Sequence, residues 1–400
     1  MAGVVVIGAG QAGATLVAKL RGEGHDGAIT LIGEEPVPPY QRPPLSKKYL
    51  LGDMALERLY LRPESYYAEA GIDLRTGARV TGIDRGAREV VIGAERLGYA
   101  HLVLATGSVP RRLPPAIGGD LAGVHVVRTL ADVDAMAPGF VAGAKVLIVG
   151  GGYIGLEAAA VAAARGMDVV LIEMADRILK RVAARETSDY FRALHGRHGV
   201  DIREGVGLER LSGEGRVRGA RLSDGSEIGV DMVIVGIGIA PATGLAEAAG
   251  LVIENGIAVD ELGRTSDPVI WAAGDCASFP YKGGRLRLES VPNAIDMADC
   301  VAGNIMGRAV PYVPRPWFWS DQYDVKLQIA GLNAGFDRVV TRAAEGAFSV
   351  WYYEGTMLRA VDAMNDPRAY MVGKRLIEAG QSADPSLVAD PGVDLRVLLA

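Results

Sequence analysis

Two short glycine patterns hold most of the recognisable chemistry in this sequence. The apolar run Val4-Val5-Val6-Ile7 opens into Gly8-Ala9-Gly10-Gln11-Ala12-Gly13, and Lys145-Val146-Leu147-Ile148-Val149 opens into Gly150-Gly151-Gly152-Tyr153-Ile154-Gly155. In each case a helical pattern follows, then a second apolar run (Ile29-Thr30-Leu31-Ile32 or Val169-Val170-Leu171-Ile172), then an acid. Strand, G-x-G-x-x-G, helix, strand, acid is the layout that holds a dinucleotide. The first glycine allows the tight turn, the second lets a pyrophosphate reach the backbone, and the third lets helix pack closely on strand. The helix start then offers free N–H groups and the positive end of its dipole to the phosphates. The acid, about 20 residues on, accepts hydrogen bonds from a ribose diol; Glu34 lies 21 residues after Gly13, and Glu173 lies 18 after Gly155. One glycine pattern alone could be a tight turn without a ligand. The full unit, present twice, points to two dinucleotides.

At the first unit Glu34 is preferred to its neighbour Glu35, because it stands nearer the strand end, where side-chain direction is better defined. At the second, a carboxylate on the 2′-hydroxyl repels a 2′-phosphate, and Met174-Ala175-Asp176 supplies no cation. NADH is therefore expected over NADPH, unless Arg177 turns inward. Between the first unit and Arg62 lies Pro36-Val37-Pro38-Pro39-Tyr40-Gln41-Arg42-Pro43-Pro44-Leu45-Ser46-Lys47. Its prolines forbid a sheet interior. Arg42 and Lys47 either bring cations to a ligand or sit on a solvated loop. Three further runs end in turns: Leu102 to Thr106-Gly107, Val233 to Gly238, and Val269 to Asp275, the last closing on an acid. Trp317-Phe318-Trp319 predicts, in a strand, both tryptophans on one face and Phe318 on the other.

Composition excludes several classes. The chain has 400 residues, a prior for two to three domains, and 49% hydrophobic content, enough to bury sizeable cores. Mean hydropathy is +0.18. Its 53 glycines, about twice the usual share, suit tight turns and backbone close to ligands. A net charge of −6 argues against a nucleic-acid binder. No apolar run is long enough for a membrane span, and the first strand begins too early for a leader peptide, so a cytoplasmic protein is expected. Two cysteines, Cys276 and Cys300, cannot build a disulfide framework or a cysteine-rich zinc site, and both read as small buried hydrophobes. Of the five histidines, His195 and His198 are expected on an exposed helix–loop stretch. No metal site is expected.

Four further stretches are more specific: Arg42-Pro-Pro-Leu-Ser-Lys47, Gly150-Gly-Gly-Tyr-Ile-Gly-Leu-Glu157, Glu289-Ser-Val-Pro-Asn-Ala294 and Pro316-Trp-Phe-Trp-Ser-Asp-Gln-Tyr323. Through them nearly the whole chain resembles the NADH-dependent ferredoxin reductases of oxygenase systems, a branch of the glutathione-reductase-type flavoproteins. The resemblance implies an α/β fold with two Rossmann-like dinucleotide-binding domains, for FAD and NAD, plus a smaller α+β C-terminal domain. It places FAD binding at 1–108 and 238–315, NADH binding at 109–237, and the C-terminal domain at 316–400.

It also assigns roles. Gly8, Gly10, Ala12, Gly13, Glu34, Arg42, Lys47, Val80, Thr106, Gly107, Arg128, Asp275 and Val291 fall to FAD. Gly150, Gly152, Ile154, Gly155, Glu157, Glu173 and Gly238 fall to NAD. Lys47 is expected beside the flavin and Glu157 beside the nicotinamide, the two pairing, although Glu157 read alone could be an ordinary exposed helix residue. Trp319 is expected near the flavin edge where an iron–sulfur protein docks, or else simply in a core. Disulfide reductases of the superfamily carry a redox cysteine pair after the first unit; here Leu45-Ser46-Lys47 has none, so electrons are expected to leave the flavin directly. The implied partner is a two-iron two-sulfur ferredoxin feeding a haem monooxygenase or a Rieske dioxygenase, from a monomer or weak dimer. The alternatives are another acceptor, such as rubredoxin or a nitrite-reductase component, and a redox-sensing binding protein like apoptosis-inducing factor.

Overall fold

In the computed structural model, which describes residues 3–399, the first apolar run forms strand β1 (Gly3–Ile7), followed by helix α1 (Gln11–Gly22) and strand β2 (Ile29–Ile32). Both strands are buried along their apolar length, as parallel strands covered on both faces must be. Ile72–Arg75, β2, β1 and Glu95–Leu104 run parallel in that order, and Ile270–Ala272 joins parallel to the far side of Leu102–Leu104. Helix α1 turns Leu16, Val17 and Leu20 into the core and lies beside the helix Val291–Ile305, which contributes Met297, Ala298 and Val301. These elements belong to one compact unit, built from the segment up to Arg42, Ala55–Val109 and Ile239–Arg315.

A second unit comprises Pro43–Met54, Pro110–Gly238 and the chain from Pro316 onward. Its parallel sheet has five strands, ordered Asp201–Glu204, β4 (Asp168–Glu173), β3 (Lys145–Val149), Met232–Val235 and Val124–His125. Between β3 and β4 runs helix α2 (Tyr153–Ala164), whose residues from Gly155 to Ala162 are all buried. Its alanines explain that: small side chains let a helix be enclosed on every side. Helix α3 (Arg185–Arg197) is amphipathic, burying Thr187, Ser188, Phe191, Leu194 and His195.

The last part of this unit is a five-stranded antiparallel sheet. It starts at edge strand β5 (Trp317–Gln322) and continues through Val325–Gly331, Met357–Met364, Ala347–Glu354 and Arg338–Ala344. The helix Pro367–Glu378 packs on it so closely that a Cβ on Gly373 would stand 2.5 Å from Val361 Cγ2. Parallel α/β units and an antiparallel α+β C-terminal part are the expected architecture. Among the described residues no helix is long and apolar enough to cross a membrane.

Candidate active site

The two glycine turns are built alike. Gly8 and Gly150 take φ of 113° and 108°, outside the range of ordinary side chains. A Cβ on Gly13 would lie 2.0 Å from the Gly8 carbonyl oxygen, and one on Gly155 would lie 2.1 Å from that of Gly150, so each helix can seat only with glycine there. Gly10 and Gly152 are the N-caps of α1 and α2, in extended conformation, with no side-chain cap and no acid in the first turn. A Cβ on either would meet nothing within 4 Å. Both helices thus present uncapped N–H groups to open space, which is what a pyrophosphate needs. Ile154, in the first turn of α2, faces outward at 44% exposure.

The acids differ. Glu173, the last residue of β4, accepts hydrogen bonds from the Gly151 and Ala175 amides, each at 2.8 Å. Arg177 points elsewhere: it donates to Ser188 Oγ at 2.6 Å and to the Ala183 carbonyl at 2.8 Å. In the first unit Gly33 occupies the place that corresponds to Glu173, since Gly8 N–H binds the Ile32 carbonyl as Gly150 N–H binds that of Ile172. A Cβ on Gly33 would stand 2.6 Å from Ala9 Cβ. The acids therefore come later: Glu34 is exposed and pairs with Arg79 at 3.2 Å, while Glu35 accepts from Tyr40 Oη at 2.6 Å and Arg42 Nη2 at 2.7 Å.

Other residues of the first unit gather near its turn. A Cβ on Gly8 would press on the Ala105 carbonyl, and one on Gly274 would lie 3.0 Å from Ala12 Cβ and 3.8 Å from Ala294 Cβ. The starts of α1 and of the helix Val291–Ile305 thus converge on the turn that carries Asp275. That second helix is capped by Ser290, whose Oγ accepts from the Asn293 amide at 3.3 Å. Asp275 Oδ2 accepts from Ser108 Oγ at 2.9 Å, and Thr106 Oγ1 donates to the Ala242 carbonyl at 2.7 Å. Gly107 has φ of 70°, and its carbonyl accepts from the Ala242 amide. Val80 is buried at the start of its strand. In the second unit, Arg128 is half-buried ahead of the helix Leu130–Met136, and the Gly238 carbonyl accepts from the Arg111 amide at 2.9 Å.

Within the second unit, Lys47 and Glu157 meet. Lys47 follows the short 3-10 turn Pro43–Ser46, and its Nζ lies 3.0 Å from Glu157 Oε1. Ser46 Oγ donates to Glu157 Oε2 at 2.9 Å, and Ser320 Oγ donates to Oε1 at 2.7 Å. Glu157 is 6% exposed, so it is not an ordinary surface residue of its helix. Burial pushes its carboxyl above the usual range, opposed by Lys47 and the two hydroxyls. Asp321 Oδ2 stands 3.9 Å from the Lys47 ammonium on its more exposed side.

Strand alternation on β5 lines up with the turns of α2. Phe318 lies against Tyr153, ring centroids 5.0 Å apart, and Ser320 meets Glu157 one helical turn on. Trp317 and Trp319 share the other face, centroids 5.5 Å apart, and Trp317 lies 6.4 Å from Tyr370. The next residue on the α2 side, Gln322, donates from Nε2 to Ser320 Oγ at 3.2 Å.

His195 corrects an expectation. It is fully buried rather than exposed, with Nε2 2.8 Å from Gln322 Oε1 and Nδ1 3.1 Å from Tyr323 Oη. Helix α3 explains this, because His195 lies four residues after Phe191 on its apolar stripe. That spacing was available in the sequence as a signal. Ser46, Ser320 and Gln322 stand inside two of the specific stretches, but nothing in the sequence assigns them a role. The two thiols lie elsewhere: Cys276 is buried with its Sγ donating to the Leu104 carbonyl, and Cys300 is half-buried.

Two glycine turns of the dinucleotide-binding kind and a buried lysine–glutamate pair suit an enzyme that uses two nucleotide cofactors. Comparison with known proteins agrees with this geometry. Residues 2–298 match the family model described as pyridine nucleotide-disulphide oxidoreductase, and residues 317–399 match the model described as reductase C-terminal. A ferredoxin–NAD(P)+ reductase of Sphingomonas sp is 45% identical, covering 98% of this chain and 96% of its own. Rhodocoxin reductase of Rhodococcus erythropolis is 42% identical, covering 99% and 94%. Among solved structures, the covalent putidaredoxin reductase–putidaredoxin complex matches with a TM-score of 0.96 at 39% identity, covering 100% of this chain and 98% of that one. The ferredoxin reductase for the CYP199A2 system from Rhodopseudomonas palustris also scores 0.96, at 40% identity and full coverage of both chains. The chain belongs to the pyridine nucleotide-disulphide oxidoreductase family, in the branch of the ferredoxin reductases.

Proposed function

We propose that this chain is an NADH-dependent ferredoxin reductase, passing electrons from NADH through bound FAD to a small two-iron two-sulfur ferredoxin that serves a monooxygenase or dioxygenase. One observation carries the reading: the buried Lys47–Glu157 pair, clasped by two serine hydroxyls, with no thiol in the segment that supplies Lys47. FAD binding is assigned to 1–108 and 238–315, NADH binding to 109–237, and 316–400 to the C-terminal domain. The helix starts at Gly10 and Gly152 suit the two pyrophosphates. Bound FAD supplies the conversion of a hydride from NADH into two single electrons.

The residues of the chain do the positioning. Gly8, Gly10, Ala12 and Gly13 seat the FAD phosphates, with Glu34 at the adenosine ribose and Asp275 at the ribitol. Arg42, Val80, Thr106, Gly107, Arg128 and Val291 complete that assignment. Gly150, Gly152, Ile154 and Gly155 seat the NADH phosphates, Glu173 takes the ribose diol, and Gly238 completes that assignment. Lys47 offers a fixed positive charge where negative charge develops, and Glu157 holds the ammonium in place. Arg177, bound to Ser188 and the Ala183 carbonyl, is not free for a 2′-phosphate, which supports NADH over NADPH. Both cysteines are free, which suits the reducing cytoplasm. Trp319 is assigned to the surface that meets the ferredoxin.

The test is stopped-flow mixing of the purified flavoprotein with NADH, a two-iron two-sulfur ferredoxin and cytochrome c. Rapid cytochrome reduction that depends on the ferredoxin is expected. A long-lived charge-transfer band with slow electron release would overturn the assignment in favour of a sensor. Lys47→Met should slow flavin reduction about 10–100-fold, the scale of one lost charge-assisted contact.

A further inference from the structure

Glu157 stands at one end of a chain of hydrogen bonds that extends well beyond its pair with Lys47. An ionised carboxylate only accepts, so Ser320 must donate to it, at 2.7 Å. The Ser320 oxygen is then the acceptor for Gln322 Nε2, at 3.2 Å, which turns Gln322 Oε1 towards His195 at 2.8 Å. That oxygen needs a donor, so the His195 proton sits on Nε2. Burial pushes the imidazole down to about 4, so it is neutral and Nδ1 is bare. Tyr323 Oη, 3.1 Å away, must donate to it. Every proton along the chain therefore points towards Glu157.

The far end is held firmly. Tyr323 has φ of 54°, a conformation that a bulky side chain adopts only when its surroundings impose it, at the tight turn after β5. Its ring stacks on His198, centroids 3.7 Å apart and nearly parallel at 6°. Ser320, Gln322 and His195 are all buried, so solvent does not compete for these bonds. The charged and titratable groups around the chain are Lys47 and Asp321 at Glu157, and His198 and Tyr323 at His195.

We propose that Gln322 and His195 are positioning residues, which aim the Ser320 hydroxyl at Glu157 and so hold its carboxylate against Lys47. This rests on the role given above to the Lys47–Glu157 pair. Without the His195 N–H, the Gln322 amide is free to turn over and present its oxygen to Ser320, whose hydroxyl then swings away from Glu157. The carboxylate loses a donor and takes up a proton more readily.

The experiment follows the Glu157 carboxyl by carbon NMR in the FAD-bound protein labelled with ¹³C-glutamate, its signal identified by loss in Glu157→Gln. In His195→Leu and Gln322→Leu the proton affinity of Glu157 should rise about tenfold, a midpoint one unit higher. The acid limb of the pH profile for flavin reduction by NADH should move up with it. His195→Gln, which keeps an N–H donor, should restore both. Gln322→Glu, nearly isosteric and suited to the case where the leucine variants fail to fold, should raise the midpoint further, because its carboxylate draws the Ser320 hydroxyl to itself. An unchanged Glu157 midpoint in the folded variants overturns the proposal. A midpoint that moves while the pH profile stays still upholds the positioning, and removes instead the role of the Lys47–Glu157 pair in flavin reduction.

Discussion

The two nucleotide turns share their glycines and helix starts but divide over one pair of neighbours. In the first, Ala9 fills the space beside the strand end, so the facing residue is Gly33 and the acids follow it as Glu34 and Glu35. In the second the bulk is reversed: Gly151 leaves the space, and Glu173 occupies it with its carboxylate on the Gly151 amide. The same framework thus holds its acid in two ways, exposed and paired with a surface arginine in one unit, and bound to the turn in the other. Where the acid stands is decided by which of two facing residues is allowed a side chain.

The largest effect should come from breaking what the turns have in common. Gly13→Val and Gly155→Val each drive a Cβ onto a carbonyl oxygen about 2 Å away and push the helix start outward. Gly13→Val should purify without FAD. Gly155→Val should stay yellow yet lose about a hundredfold in flavin reduction by NADH, as a misplacement near 1 Å can cost. Absorption spectra and stopped-flow rates read both, and two yellow, active variants would refute the assignment of the turns.

Effects on the second acid should be smaller and should sharpen the contrast. Glu173→Ala should raise KM for NADH about tenfold, as expected for lost hydrogen bonds to a charged group. It should raise KM for NADPH less, so that the preference narrows; steady-state kinetics with both coenzymes would show a fixed ratio if Glu173 had no part in it. The smallest effect belongs to Glu34→Ala. Its exposed pair with Arg79 is worth less than about 1 kcal/mol, and calorimetric FAD affinity should fall only a few-fold.

Much of this arrangement was legible in the chain. The repeated strand–glycine–helix–strand–acid unit is a local pattern, and local patterns survive folding. The alternation of Trp317, Phe318 and Trp319 is equally local, and β5 carries it out. What escaped notice depends on partners far apart in sequence. Glu157 could be an exposed helix residue until Ser46 and Ser320 close over it, 111 and 163 positions away. Polar residues such as Ser320 and Gln322 carry no sign of burial in their type, so only the tertiary register reveals them. His195 departs from expectation although its helix stripe points inward, because a titratable residue in the last turn of a helix reads as exposed by its type alone.

Arg177 ties the loop before α3 to the helix itself, clasping the Ala183 carbonyl in the one and the Ser188 hydroxyl in the first turn of the other. If the chain prefers NADH, as proposed, an engineer wishing to switch it to the phosphorylated coenzyme would find that this guanidinium already serves as a strut. Pulling it free would loosen the scaffold it braces, so altered coenzyme choice calls for a newly introduced cation rather than a borrowed one.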